Sequence, residues 1–191
     1  MAFLITGGAR SGKSLFAERC APRLADRGIY VATSTIGDDE MEERVDRHRR
    51  QREAAGFRWE TIEEPKQLVQ LLDELARNIE AAEGNPPVVL VDCLTLWLTN
   101  HLLAYEHEPI EKLEREIDDL AEAVAKYPHP LLLVTNEVGS GIVPAYPLGR
   151  TFRDAAGRMN RKLAETCERT CLVVSGIPVD LSRIAASPDE L

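Results

Sequence analysis

The sequence predicts an α/β fold with a mainly parallel central sheet and helices on both faces. Five short, almost continuously apolar runs alternate with stretches of helical periodicity, and that alternation is the signature of βαβ units. The runs lack the in-out alternation of half-exposed strands, as expected where a parallel sheet is covered on both sides. A glycine-rich turn joins the first run to the first helical stretch.

Taken in order, residues 3–6 read as a strand and 13–27 as a helix. Residues 29–34 follow as a second strand and 38–55 as a charged helix. Arg58-Trp59-Glu60-Thr61-Ile62 alternates, which makes it a candidate extra strand, placed here as an antiparallel edge. A helix over 65–83 ends at the turn Gly84-Asn85-Pro86-Pro87, and residues 88–92 form the next strand. Helices over 94–105 and 110–126 precede a strand at 131–135. An irregular loop over 139–149, a helix over 150–168 and a strand at 171–175 complete the pattern. A long loop after a central strand is more often functional than decorative.

Nothing in the 191 residues reads as a linker, a repeat or a low-complexity segment, so residues 1–191 are expected to form one domain. A hydrophobic fraction of 44% with 29% charged residues excludes a mostly disordered chain. The net charge of −9 argues against binding nucleic acid, and a small anionic substrate would need a local basic pocket. No apolar run is long enough to span a membrane, and the N-terminus lacks a basic leader, so a cytoplasmic location is expected. Cys20, Cys93, Cys167 and Cys171 have no metal-ligand spacing and read as core thiols. Cys167 and Cys171 are spaced to share one helical face.

Gly7-Gly8-Ala9-Arg10-Ser11-Gly12-Lys13-Ser14 matches the phosphate-loop pattern in full, between a strand and a helix, and makes the fold P-loop NTPase-like. Glycines let backbone N–H groups turn inward on phosphates, and the helix aims its positive end at them. Lys13 is placed to reach the β- and γ-phosphates, and the Ser14 hydroxyl to hold Mg²⁺. Arg10 either touches phosphate or points to solvent. Val88-Val89-Leu90-Val91-Asp92 is an apolar strand ending in a carboxylate, which suits an acid beside Mg²⁺. Glu137 is a rival for that role or a second acid. The guanine-reading Asn-Lys-x-Asp motif of regulatory GTPases is absent, which argues against a switch of that family.

In the 38–55 stretch, Met41, Val45, His48 and Arg52 fall on one helical stripe, with Arg44, Arg47, Arg49 and Arg50 around His48. One reading is a solvated helix face. The other is a nucleophile in an anion pocket, where guanidinium charges oppose protonation of the imidazole and leave it able to attack phosphorus.

The chain resembles the bifunctional adenosylcobinamide kinase / adenosylcobinamide-phosphate guanylyltransferases. The likeness runs in order through the phosphate loop, Tyr30-Val31-Ala32-Thr33-Ser34, Asp38-Asp39-Glu40-Met41 leading to Arg44 and His48, and the segment 59–63. It continues through Val91-Asp92-Cys93-Leu94-Thr95-Leu96-Trp97-Leu98-Thr99-Asn100, the segment 134–144 and Phe152-Arg153-Asp154, and closes at Val174-Ser175-Gly176. The resemblance implies two reactions. ATP or GTP phosphorylates the aminopropanol hydroxyl of adenosylcobinamide. GTP then guanylylates a histidine, and the GMP passes to adenosylcobinamide phosphate to give adenosylcobinamide-GDP. The guanylylated histidine falls on His48. Nucleotide contacts carry over to Thr33, Ser34 and Thr35, to Arg49, Arg50, Gln51 and Arg52, and to Glu63. Asp92 stands where some members have Glu, and Arg47-His48 where some have a histidine pair. A homotrimer is implied as well. The competing readings are a monofunctional small-molecule kinase that does not use His48, and a non-enzymatic nucleotide-binding switch. For the acceptor, the 139–149 loop and the helix carrying Arg150, Arg153 and Arg158 are candidates, Arg158 being equally readable as a surface charge.

Overall fold

A computed structural model of the chain describes residues 1–34, 52 and 56–187. Of the expected 38–55 helix only Arg52 is therefore described, and Thr35, His48, Arg49, Arg50 and Gln51 lie outside the described residues.

The described residues form one seven-stranded sheet. Its strands are β1 (Ala2–Thr6), β2 (Arg27–Ala32), β3 (Arg58–Glu63), β4 (Val88–Asp92), β5 (Leu131–Val134), β6 (Arg169–Val174) and β7 (Ile177–Asp180), in the spatial order β3-β2-β4-β5-β1-β6-β7. Six strands run parallel, and β7 returns antiparallel to β6. The helices are α1 (Lys13–Cys20), α2 (Leu68–Ala81), α3 (Leu94–Ala104), α4 (Ile110–Lys126) and α5 (Pro147–Thr166).

Burial follows position in the sheet. The first four residues of β4 and all of β5 are buried, because both strands are central and covered on both faces. Leu4, Val89, Val91, Leu131 and Leu133 face a core built with α2, α3, α4 and α5. Ile5, Val88, Leu90, Leu132 and Val134 face the opposite side, where α1 packs through Ala17. Helix α4 shows why the pairing works: Leu113, Ile117, Leu120 and Val124 recur at helical spacing and are all buried. Each such side chain contributes roughly 1.5–3 kcal/mol of burial.

Four expectations are corrected. Residues 58–62 do form an edge strand, but β3 runs parallel to β2, because the 33–57 connection is long enough for a crossover. The antiparallel edge is β7, reached from β6 through Ser175 and Gly176. Both have positive φ (52° and 80°), the two-residue turn that suits a twisted hairpin. Helix α1 stops at Cys20 rather than 27, because Pro22 cannot donate a helical hydrogen bond and opens a 3₁₀ turn. Helix α5 begins at Pro147 rather than 150, since proline is at home in a first turn. Cys171 consequently lies in β6 while Cys167 caps α5, so the two share no helical face. All four cysteines are thiols and each is partly rather than fully buried. Burial pushes the Cys167 thiol up to about 12 and Cys93 to about 11, so neither is a ready nucleophile.

Candidate active site

Among the described residues, the segments that follow β1, β2, β4 and β5 all leave the C-terminal edge of the sheet. From β1 the chain crosses toward β2 on one side, and from β5 it crosses to β6 on the other. The crevice at such a reversal is where open α/β sheets bind ligands.

The 7–14 segment sits at this point, and its sequence is dictated by close quarters. A Cβ at Gly7 would lie 2.4 Å from the Val173 carbonyl oxygen and 2.6 Å from Ser11 Oγ. Gly12 has a φ of 92°, which an L side chain rarely adopts. Because Gly12 is also the N-cap of α1, no side chain caps that helix, and its first-turn amides are left to an anion. Arg10 takes a φ of 57° and is exposed on the rim with Gly8 and Ala9. The hairpin turn buttresses the loop from behind, Gly176 donating its N–H to the Ser11 carbonyl at 2.8 Å. Lys13 is buried, and its Nζ donates to the Gly8 carbonyl at 3.2 Å, so the ammonium is folded over its own loop. Ser14 follows at the start of α1, partly exposed.

Asp92 ends β4, separated from β1 by β5 alone, which sets the two strand ends about 10 Å apart. Its Oδ2 accepts a hydrogen bond from the Tyr30 hydroxyl at 2.9 Å. Burial, and then the Asp92 charge, push the Tyr30 hydroxyl well up, so it remains a donor. The Arg52 guanidinium lies 3.6 Å from the Tyr30 ring centroid and 3.9 Å from Glu18 Oε1, and it is buried. Glu18 is pushed up to about 7, chiefly by burial and further by Asp92, against the pull of Arg52. Arg52, a residue expected to meet nucleotide, links α1 to β2 through these two contacts.

Thr33 is fully buried. Its hydroxyl donates to the Cys93 carbonyl at 2.7 Å and accepts from the Cys93 N–H at 2.9 Å, which ties the ends of β2 and β4 together. Asn100 reinforces the same junction by donating to the Thr33 and Pro65 carbonyls. Ser34 is partly exposed beside it, and Glu63 is exposed at the end of β3, opposite Ala32 in register. Glu137 is taken up by its own loop. Its N–H donates to the Gly7 carbonyl at 3.1 Å, and its Oε1 accepts from the N–H groups of Gly139 and Ser140. Arg158 pairs with Glu114 of α4, the surface-charge reading. His101 is a core histidine, its Nε2 3.0 Å from the Lys66 carbonyl oxygen and its ring against Trp97 and Tyr105.

The donors present fit a magnesium ion held largely by nucleotide. No group of three or more metal-ligating side chains occurs among the described residues. A hydroxyl at Ser14 and a carboxylate at Asp92 are what such an ion takes from protein when phosphates and water complete its shell. Thr6 Oγ1, Ser11 Oγ and Asn136 Oδ1, all buried along this strand-end edge, have no hydrogen-bond partner among the described residues, an arrangement typical of a polar binding site. Sequence reasoning missed Tyr30 as a partner of Asp92 and Thr33 as a clamp, because both roles depend on strand register.

Comparison with known proteins gives the family. The family model described as cobinamide kinase / cobinamide phosphate guanyltransferase matches residues 3–181. The chain is 43% identical over 178 residues to the bifunctional adenosylcobalamin biosynthesis protein CobP of Pseudomonas aeruginosa, covering 93% of this chain and 95% of that protein. It is 42% identical over 192 residues to the bifunctional adenosylcobalamin biosynthesis protein CobU of Escherichia coli, covering 95% and 99%. The CobU protein of Salmonella typhimurium is 42% identical over 194 residues with the same coverage. Matched from its first strand to its last, the chain belongs to the cobinamide kinase / cobinamide phosphate guanyltransferase family.

Proposed function

We propose that this chain, as a single catalytic domain, phosphorylates adenosylcobinamide with ATP or GTP and then joins GMP to the phosphate through a covalent adduct on His48. The observation that carries the reading is the uncapped α1 N-terminus, with Lys13 on one side and the Tyr30-held Asp92 on the other. The 7–14 loop and Lys13 bind and orient the triphosphate, while Ser14 and Asp92 hold magnesium. The ion supplies neutralisation of phosphate charge.

In the kinase step the acceptor hydroxyl oxygen bonds to the γ-phosphorus and gives up its proton to solvent, the bond to the bridging oxygen breaks, and the nucleoside diphosphate leaves. In the second reaction a neutral His48 nitrogen bonds to the α-phosphorus of GTP and pyrophosphate leaves. An oxygen of adenosylcobinamide phosphate then bonds to that phosphorus as the P–N bond breaks, giving adenosylcobinamide-GDP. Arg52 supports this role for His48, because four residues of chain reach at most about 14 Å. Arg52 is fixed against Tyr30, next to Asp92. Arg49, Arg50 and Gln51, with Ser34, Thr35 and Glu63, line the nucleotide path in this reading.

The test is intact-mass analysis after incubation with GTP and Mg²⁺. One added GMP, labile to acid, is expected in the parent protein and none in His48→Ala. An adduct that persists in His48→Ala places the nucleophile elsewhere, and kinase turnover without any adduct leaves a monofunctional kinase.

Among the described residues no helix is long and apolar enough to cross a membrane, which accords with a cytoplasmic enzyme. A homotrimer is proposed too. It is supported by exposed apolar side chains: Leu15 at a 640 Å³ cavity between α1 and the β6–β7 hairpin, and Val174, Ile177 and Val179 on the hairpin itself. Sedimentation equilibrium reads the subunit number, and a monomer would remove the proposal.

A further inference from the structure

The segment between β5 and α5 leaves the sheet beside the phosphate loop and is pinned along its length. Besides the Glu137 contacts to Gly7, Gly139 and Ser140, Arg153 donates to the Gly139 carbonyl at 2.6 Å. Arg150 donates to the carbonyls of Pro144 at 3.1 Å and Ala145 at 2.7 Å. A Cβ at Gly149 would lie 2.7 Å from the Tyr146 ring and 2.8 Å from Pro144 Cβ, so the loop is pressed onto the first turn of α5.

This rigid loop nevertheless holds apolar side chains out in solvent. Ile142 is 97% exposed, Tyr146 62% and Val143 56%. Scattered apolar residues on a surface need no explanation, but three on a preorganised loop that follows the strand beside the phosphate loop do. The apolar surface continues past Tyr146. Pro147 and Leu148 form one wall of a 360 Å³ cavity whose other walls include Leu102, Tyr105 and Leu113.

Among the ligands of the proposed reaction, the nucleotide is recognised by charge and by the 7–14 loop. The acceptor is a different problem. It is a corrin macrocycle of largely apolar faces, rimmed with amides, carrying its reacting hydroxyl on a short arm. Such a body is suited to an apolar surface near the phosphate loop, from which the arm can reach the nucleotide.

We propose that Ile142, Val143 and Tyr146, with the cavity beside the first turn of α5, form the ledge on which the corrin body of the acceptor docks; this rests on the function proposed above. The occupant is argued from continuity with the site, since the segment that carries the ledge begins beside the phosphate loop, where Glu137 N–H bonds to Gly7 O. Arg150 and Arg153 act as positioning residues that keep the loop raised.

The test is the pair I142S and Y146S, made singly and together, and read in two assays that depend differently on the acceptor. Kinase kinetics with varied adenosylcobinamide should show KM raised about tenfold or more in the double variant, with kcat and the nucleotide KM unchanged. Formation of the GMP adduct from GTP alone needs no corrinoid and should proceed at the parent rate. An unchanged corrinoid KM overturns the ledge. So does a parallel loss of adduct formation, which would make the loop part of the nucleotide site, or a drop in subunit number by size exclusion, which would make it a contact between copies. Failure of the parent protein to use cobinamide at all would instead sink the function itself, so the two readings fail separately.

Discussion

Two regions meet at the C-terminal edge of this sheet, and under the proposed function they recognise ligands by opposite means. Around β1 and β4 the groups are polar, largely buried and fixed by short bonds: Lys13 over Gly8, Tyr30 on Asp92, Thr33 on Cys93. Along residues 136–146 the backbone is equally well fixed, but the side chains offered are apolar and exposed. A triphosphate is small and highly charged, so a few preorganised dipoles suffice to hold it, and those dipoles need particular residues at particular spacings. A large, weakly charged body is held by area, which many side chains can supply. The first region therefore leaves a motif in the sequence and the second does not.

The largest effect should come from the charged region. Lys13→Ala removes the cation placed to neutralise the β- and γ-phosphates, and a fall of about 10²–10³ or more in both kinase and adduct formation is expected. Corrinoid affinity, measured by equilibrium binding, should be preserved. If Lys13→Ala kept its kinase activity, a second nucleotide site would exist and the division between the two regions would dissolve.

A smaller effect sharpens the comparison within the polar half. Tyr30→Phe keeps the ring beneath Arg52 and deletes only the hydroxyl that bonds to Asp92. A hydrogen bond to a charged group contributes about 1.5–3 kcal/mol. Adduct formation should fall about tenfold, and the Mg²⁺ concentration needed for half-maximal binding of a fluorescent GTP analogue should rise. An unchanged Mg²⁺ requirement would show that Tyr30 serves packing alone. Neither reading touches the ledge, so the corrinoid KM should stay where it is.

The same contrast explains what could be read from the chain. The strands of the core were legible because continuous apolar runs such as Val88-Val89-Leu90-Val91 have one explanation in an α/β pattern. The phosphate loop was legible because Gly7 and Gly12 are enforced by local crowding and a positive φ. The direction of β3 was not, since one strand's pattern does not state its neighbour or its sense. The Ser175-Gly176 turn carries a signal for β7, two turn-forming residues between apolar runs, but Ser175 reads equally well as the last residue of a strand over 171–175. Tyr30 escaped notice because its partner lies on another strand, 62 residues away. Ile142 and Val143 looked like loop residues, and only their exposure on a pinned backbone distinguishes them.

The smallest expected effect concerns the cost of building the polar half. Glu18 faces Arg52, and burial raises it from an ordinary value near 4.5 to about 7, against the pull of Arg52 and with a smaller push from Asp92. A carboxyl whose folded-state value is raised keeps its proton in the native protein after the unfolded chain has lost it. Between about pH 4.5 and 7 the native state therefore binds more protons, and stability falls as pH rises through that window. Above pH 7 the native carboxylate is ionised as well, and the loss stays constant. Glu18→Gln lacks this titration. Urea unfolding in chelator should show the variant gaining on the parent between pH 5 and pH 8, by about 1–2 kcal/mol after allowance for solvent screening. Adduct formation should change less than in Tyr30→Phe, because Glu18 touches Arg52 rather than Asp92. If the variant instead lost ground at pH 8, the pair with Arg52 would outweigh desolvation, and the polar half of the edge would stabilise the fold rather than burden it.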